Sequence, residues 1–131
     1  MPVDRRPAAK PLPELVAQFV RRATSLGPVE ARPMFGGYGL YLDGVIFALE
    51  AEGRIWLKVD DETRSAFAAA GSRAFVYEGK HRPVEMSYWM MPDGAGPDTG
   101  AFLHWTALAL AAARRNAARK REPNAARRRA Y

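Results

Sequence analysis

The stretch "GGYGLYLDGVIFALEAEGRIWLKVD", residues Gly36 to Asp60, decides the fold of this 131-residue chain. It is rich in aliphatic and aromatic residues, and turn residues interrupt the apolar runs at Asp43-Gly44 and at Ala51 to Gly53. Short runs of such residues between tight turns are the pattern of antiparallel strands joined by hairpins. The stretch therefore predicts three consecutive strands of one sheet.

The lengths of the turns predict the register of these strands. A two-residue turn at Asp43-Gly44 would pair Leu40 with Phe47, and a three-residue turn at Ala51 to Gly53 would pair Phe47 with Leu57. This register puts the large aliphatic side chains on one face of the sheet. The opposite face then carries three rows: Gly37-Glu50-Arg54, Gly39-Ala48-Trp56 and Tyr41-Ile46-Lys58.

The glycines near the start of the stretch admit two interpretations. In the predicted register, Gly39 and Ala48 clear space beside the indole of Trp56, and glycine inside a strand commonly marks a close approach. A phosphate-binding loop is the alternative. The segment matches neither standard glycine-rich motif, and a strand follows it where such a loop needs a helix N-terminus. The packing interpretation is therefore favoured.

The rest of the chain supplies helices and two more strands. Helical periodicity predicts a helix from Pro13 to Leu26 that ends at Gly27-Pro28. A short helix capped by Asp60 or Asp61 ends at Gly71, and a C-terminal helix begins at Asp98 or Thr99. Strands are predicted at "AFVYE" and "PVEMSYWMM", and a short extended piece follows the first helix. The order α-β-β-β-α-β-β-α predicts an α+β two-layer sandwich, with helices packed on an antiparallel sheet.

The net charge of +6 is concentrated near the C-terminus. From Arg114 onward the chain has eight Lys or Arg and one acid, whereas the rest is close to neutral. We expect a flexible segment at 1–11, a folded domain at 12–118 and a basic tail at 119–131. Weak, non-specific nucleic-acid binding is one interpretation of the tail, and a solvated terminus is the other. The candidate nucleic-acid-binding residues are Arg114, Arg115, Arg119, Lys120, Arg121, Arg127, Arg128 and Arg129.

Residues typical of catalytic or metal sites are scarce. The chain has no cysteine, and its two histidines, His81 and His104, have no partner at metal-ligand spacing. Ser87 lacks the surroundings of a nucleophile elbow. We therefore expect no enzyme activity, no metal and no cofactor. No apolar run is long enough to cross a bilayer and the N-terminus lacks a signal sequence, so a cytoplasmic protein without membrane contact is expected.

The face that carries Trp56 is the candidate partner-binding surface. Its residues are Gly37, Gly39, Tyr41, Ile46 and Trp56. The face is too apolar to be left in water, so we expect a second copy of the chain or the C-terminal helix to cover it, and favour a homodimer. Stacking of a nucleobase on Trp56 between Arg54 and Lys58 is less favoured, because Glu50 is predicted to pair with Arg54 across the strands.

Three segments together resemble the TfoX N-terminal domain family. They are "RPMFGGYGLYLDGVIFALEAEGRIWLKVDDETRSAFAAAG", "RPVEMSYWMMPD" and a Trp/Leu/Ala-rich helix ending in Arg-Arg. The match as a whole extends over roughly residues 12–118. The resemblance implies an α-β3-α-β2-α fold and a role like that of the TfoX/Sxy regulators, which promote competence gene expression together with a cyclic-AMP receptor protein. It implies a protein partner in the transcription machinery, or a cyclic-AMP receptor-type regulator, and no catalytic residues. The namesakes carry a second, C-terminal domain, whose activities the resemblance does not extend to this chain.

Overall fold

The computed structural model describes residues 12–34 and 36–121. They form α1 (Glu14–Arg22), β1 (Val29–Met34), β2 (Gly37–Leu42), β3 (Val45–Ala51), β4 (Arg54–Lys58), α2 (Arg64–Ala69), β5 (Ala74–Glu78), β6 (Pro83–Met90) and α3 (Phe102–Arg121), with a 3-10 turn at Ala23–Ser25. The predicted α+β class is confirmed. The extended piece after α1 is itself a strand, β1, so four strands precede α2 where three were predicted.

Local sequence explains how α1 ends. Val16 and Phe19 lie on its buried stripe, and Arg21 and Arg22 occupy its last turn, where cations interact favourably with the helix dipole. The chain then turns at Gly27, whose φ of 144° belongs to the region that favours glycine. A Cβ at Gly27 would also lie 2.9 Å from a methyl carbon of Leu42. The predicted stop at this glycine is thus explained by both conformation and space.

The two later helices begin further along the chain than predicted. Helix α2 begins at Arg64 because Asp60 is used in the preceding turn, where its carboxylate accepts the backbone N–H of Glu62 at 3.1 Å. Helix α3 begins at Phe102, after a turn in which the Thr99 hydroxyl donates to the carbonyl of Gly96. Asp, Asn, Ser and Thr side chains favour turns as well as helix caps, which makes the exact start of a helix hard to predict.

All six strands belong to one antiparallel sheet, in the order β1-β2-β3-β4-β6-β5. The first four follow chain order as a meander. Strand β6 pairs with β4, and β5 is the outer strand of the last hairpin. The other edge strand, β1, contains Pro33, a residue that sheets tolerate mainly at an edge because it lacks an N–H donor.

Both hairpins in the opening stretch have two-residue turns. Positive φ values occur at Asp43 (52°) and Gly44 (78°), and again at Glu52 (59°) and Gly53 (74°). Two successive positive φ values are typical of the turn whose twist matches a right-handed β-hairpin. The predicted three-residue turn is therefore wrong, and Ala51 pairs directly with Arg54.

A bulge in β3 changes the predicted register a second time. Tyr41 faces Ile46 as predicted, but Leu40 faces Ala48 and Gly39 faces Leu49. Phe47 is the extra residue. A bulge lets two neighbouring side chains project to nearly the same side, and both Phe47 and Ala48 belong to the hydrophobic core.

The two errors of register compensate across three strands. Each moves β3 by one residue relative to a neighbour, so Gly39 and Trp56 still lie in one row, with Leu49 between them. Ala48, predicted beside Trp56, lies in the core. Glu50 lies opposite Tyr38 and Ile55 rather than opposite Arg54, which faces Ala51.

The described helices pack against one side of the sheet, which we call the core face. The Phe19 ring of α1 lies 5.9 Å from Phe47 on β3 and 5.2 Å from Phe102 on α3. In α2, Phe67 packs edge-on against Trp105 at 4.9 Å. Helix α3 contacts β3 and β4 and buries alanines against them. The C-terminal helix therefore does not cover the face that carries Trp56, which was one of the two expected covers.

We predict that Gly37→Ala strongly destabilises the fold. A Cβ at Gly37 would collide with the backbone carbonyl oxygen of Glu50 on β3, and a backbone group cannot move aside without disturbing the hairpin. The free energy of unfolding should fall by about 3 kcal/mol, the upper end of ordinary overpacking. Gly100→Ala is the control, because a Cβ there meets nothing within 4 Å. Equal midpoints for the two variants in urea denaturation would contradict the close approach.

Candidate interaction face

The side of the sheet opposite the helices is called the outer face here. Its apolar residues follow the strand alternation from Trp56 and lie outside the hydrophobic core that the helices share. In the described part of the chain, none of the helices packs on this face. Its main apolar side chains are Met34, Tyr41, Ile46, Leu49, Trp56, Phe75, Tyr77, Val84, Met86, Tyr88 and Met90.

Trp56 is the centre of the outer face. Only 4% of the residue is exposed, and its ring meets the edge of Phe75 with the centroids 4.7 Å apart. The indole N–H donates to the carbonyl oxygen of Ala51 at 3.1 Å. A Trp side chain with its donor satisfied and its ring packed is held in one orientation. The face thus has a rigid aromatic centre even without a helix above it.

The space beside Gly39 belongs to residues other than Trp56. A Cβ at Gly39 would come within 2.9 Å of a ring carbon of Tyr41, 3.0 Å of the Met34 sulfur and 3.1 Å of the Ile46 Cδ1. Gly39 therefore lets three side chains of the outer face close over the strand. The packing interpretation of this glycine holds, but the partner predicted for it was wrong.

Phe75, Tyr77 and Val84 were not among the predicted site residues. They come from β5 and β6, and Phe75 packs directly on Trp56. Tyr77 and Val84 face each other across the hairpin, and 56% of Tyr77 is exposed. The alternation in "AFVYE" and "PVEMSYWMM" was the available signal, but only the pairing of β4 with β6 places these residues beside Trp56.

Cations stand at the rim of the outer face. The Arg32 guanidinium lies 4.7 Å from the centroid of the Tyr41 ring and pairs with Glu30 at 2.8 Å. The Lys58 ammonium lies 5.2 Å from the Tyr88 ring, within the range of a cation–π contact. Burial, with a smaller effect of nearby Tyr41, raises the pKa of the Tyr88 phenol to about 12. Tyr88 therefore stays neutral, and Lys58 brings a positive charge to its end of the rim.

The predicted nucleic-acid-binding residues divide into three groups. Arg127, Arg128 and Arg129, together with the side chain of Arg121, lie outside the described residues. Arg114, Arg119 and Lys120 lie on α3, whose helix continues into the segment predicted as a tail. Arg115 is engaged elsewhere.

Arg115 ties α3 to the turn after β4. Its guanidinium donates to both carboxylate oxygens of Asp60, at 2.7 and 3.0 Å, and lies 2.7 Å from Glu62. The Asp60 side chain is nearly buried, and the hydrogen bond from Arg115 lowers the pKa of its carboxyl below the ordinary value. This arginine therefore serves the fold and is not available to a phosphate backbone.

The described residues show neither a metal site nor a membrane span. Among them, no three His, Cys, Asp or Glu side chains come together in a way that could hold a metal ion. Within the same residues, no helix combines the length and the apolar character needed to cross a bilayer.

The structure defines a class of protein: a small α+β domain with helices on one face of an antiparallel sheet and apolar side chains on the other face. The model of the TfoX N-terminal domain family matches residues 21–113, and the chain belongs to this family. The suspected family is thereby confirmed. No curated protein matches the chain.

We predict that Gly39→Val destabilises the protein through Ile46 and not through Trp56. The free energy of unfolding should fall by about 1–3 kcal/mol, and adding Ile46→Ala should recover part of the loss because it removes one of the crowded groups. Trp56→Ala is the matched control: it lies two strands away, where effects usually add. A double-mutant cycle measured by urea denaturation checks this. Additivity in both pairs would refute the packing assigned to Gly39.

We predict that Arg115→Gln destabilises the domain at neutral pH by roughly 1 kcal/mol, the typical worth of a hydrogen bond. A lowered pKa for Asp60 contributes stability above its unfolded value of 3.8, and that contribution disappears as the pH falls through the folded pKa. The difference in free energy of unfolding between wild type and variant should therefore become smaller below pH 3.8. Arg114→Gln, an exposed neighbour on α3, is the control in urea melts. A gap that persists unchanged in acid would contradict the assigned ion pair.

Proposed function

We propose that this domain is a non-enzymatic regulatory module that binds another protein through its outer face. One observation carries the proposal: around the buried Trp56, the face that the described helices leave uncovered presents aromatic, aliphatic and methionine side chains, including the exposed Tyr77 and Val84. Contiguous apolar surface of this kind marks interaction sites, and methionine adapts well to a partner's shape. Membership of a family whose namesakes regulate competence genes supports the regulatory part of the proposal.

The rim of the outer face indicates the chemistry of the partner. Arg54 is exposed at one end of the face, and Lys58 lies over Tyr88 at the other end of β4. A protein surface with apolar side chains between carboxylates complements this arrangement. We propose as partner a component of the transcription machinery, such as a cyclic-AMP receptor-type regulator, which places the protein in the bacterial cytoplasm.

Nucleic-acid association through the basic segment is the second candidate function. The observation in its favour is that Arg114, Arg119 and Lys120 all lie in the second half of α3, so the helix holds them within about two turns of one another. A basic helical segment of this kind would bind a polyanion with an affinity that falls as salt is added.

We predict that the outer face is needed for regulation in the native host. Deleting the gene should change a defined set of transcripts, and the wild-type gene should restore them. The double variant Tyr41→Ser, Ile46→Ser should not restore them, because it removes apolar contact area without touching the core. RNA sequencing of the complemented strains makes the measurement.

Leu12→Ser supplies the matched control, since Leu12 is an exposed apolar residue outside the outer face. Circular dichroism and immunoblotting establish that each variant folds and accumulates equally. If the double variant restores the transcripts as fully as the control, the proposal is wrong. Sedimentation of the full chain tests whether a second copy of the protein binds the outer face instead. If the wild type self-associates and the double variant does not, the face belongs to a homodimer and the choice of partner is overturned.

A further inference from the structure

A second group of polar side chains surrounds a cavity where the end of β4 approaches the C-terminal part of α3. The cavity has a volume of about 270 Å³, far more than the roughly 30 Å³ that one water molecule takes up in the liquid. Lys58, Ser87, Asn116 and Arg119 contribute to its wall, and residues of the turn that precedes α2 complete it. Neither the interaction face nor the family match assigns a role to this cavity.

The acidic groups of the cavity wall already have partners. Asp60 and Glu62 are paired with Arg115, and Asp61 accepts from the Arg64 guanidinium at 2.6 Å. Two guanidiniums thus offset two of these three negative charges, and the contacts hold the carboxylates in the turn. One unit of negative charge is left beside the cavity before its remaining cations are considered.

Three cations approach the cavity without such partners. Within the described ranges, Lys58, Arg119 and Lys120 have no carboxylate within ion-pair distance. Lys58 is half-buried, and its burial, followed by the charges of Lys120 and Arg119, lowers its pKa, against a smaller opposing effect of Asp60. Its ammonium donates to the Ser87 hydroxyl at 2.6 Å, which fixes its position. The folded protein thus holds like charges together in a place that an anion could neutralise.

We propose that this cavity is a binding site for a phosphate group, held by Lys58, Ser87 and Arg119 with Lys120 nearby. A phosphate carries enough charge to offset more than one cation, and its oxygens accept from ammonium, hydroxyl and guanidinium donors at once. The same chemistry is offered by a free phosphate ester and by a phosphodiester of a nucleic acid. The site differs from the predicted basic tail because two of its three direct donors come from the sheet.

The test is a titration of the full chain with inorganic phosphate and, separately, with a 20-base-pair DNA duplex, at constant ionic strength. Binding is followed by calorimetry and by the shift in thermal midpoint. We expect Lys58→Gln and Arg119→Gln each to weaken binding at least tenfold. Arg82→Gln, which removes an exposed cation of the β5–β6 turn, is the control and should leave binding unchanged.

The two titrations together distinguish a free phosphate ester from a nucleic-acid backbone as the ligand. Phosphate binding that both variants weaken assigns the site to free phosphate esters, whereas DNA binding that they weaken, without measurable phosphate binding, assigns it to a nucleic-acid backbone. If neither probe binds, or if Lys58→Gln and Arg119→Gln behave like Arg82→Gln with both, the proposal is overturned.

The thermal midpoint of Lys58→Gln provides a second test, because phosphate bound at other cations of the protein would not change the stability difference between this variant and the wild type. Without phosphate, Lys58→Gln should match or exceed the wild-type thermal midpoint, because it removes a charge that burial and two neighbouring cations disfavour. As the pH rises toward 10.5, the unperturbed pKa, the thermal midpoint of the wild type should rise relative to that of the variant. In this pH range the unfolded chain binds more protons at Lys58 than the folded protein does, so deprotonation favours the folded state. Added phosphate should reverse the order at neutral pH. A variant that is less stable by the same amount in both buffers would refute the site.

Discussion

The single extra residue in β3 is the constraint on which the arrangement of the sheet depends. Because Phe47 is bulged, it and Ala48 both face the helices, and Phe47 reaches the ring of Phe19. A regular strand would send one of these two side chains to the outer face. The same bulge turns Leu49 outward beside Trp56. The composition of both faces therefore follows from one local irregularity, which the neighbouring hairpin turns hold in register.

A contact distant in sequence fixes α3 over this sheet. Arg115 reaches the turn after β4 and binds Asp60 with two hydrogen bonds. The apolar side of the helix, through residues such as Leu110, supplies most of the attraction, because burial of apolar area is the dominant favourable term in folding. The ion pair fixes the position of the helix, because it determines which part of α3 lies beside the end of β4. Residues one turn later, including Arg119, are brought toward Lys58 as a consequence.

The sequence predicted the types of the secondary-structure elements better than it predicted the strand register and the packing of these elements against one another. The hairpins, the three helices and the fold class followed from periodicity and from glycines at turns, which are local signals. The three-residue turn was wrong because Glu52 adopts a positive φ, which a residue other than Gly, Asn or Asp seldom does. The bulge at Phe47 has no local signal at all. The predicted face residues Gly39, Ile46 and Trp56 were right in position, because the two register errors compensated. Phe75 and the Lys58 cavity depend on the β4–β6 pairing and on the placement of α3, which are set by packing over long sequence separations.

Lys58 connects the two surfaces of the domain. Its ammonium lies within cation–π distance of Tyr88 on the outer face and donates to Ser87 at the cavity. A four-carbon stem allows this because its methylenes can pack on an aromatic ring while the charged end reaches a polar neighbour. The strength of a cation–π contact depends on the position of the charge over the ring, so a group that draws the ammonium further into the cavity weakens its attraction to Tyr88. The rim of the apolar face and the charge inside the cavity are therefore not independent: the position of one side chain determines both.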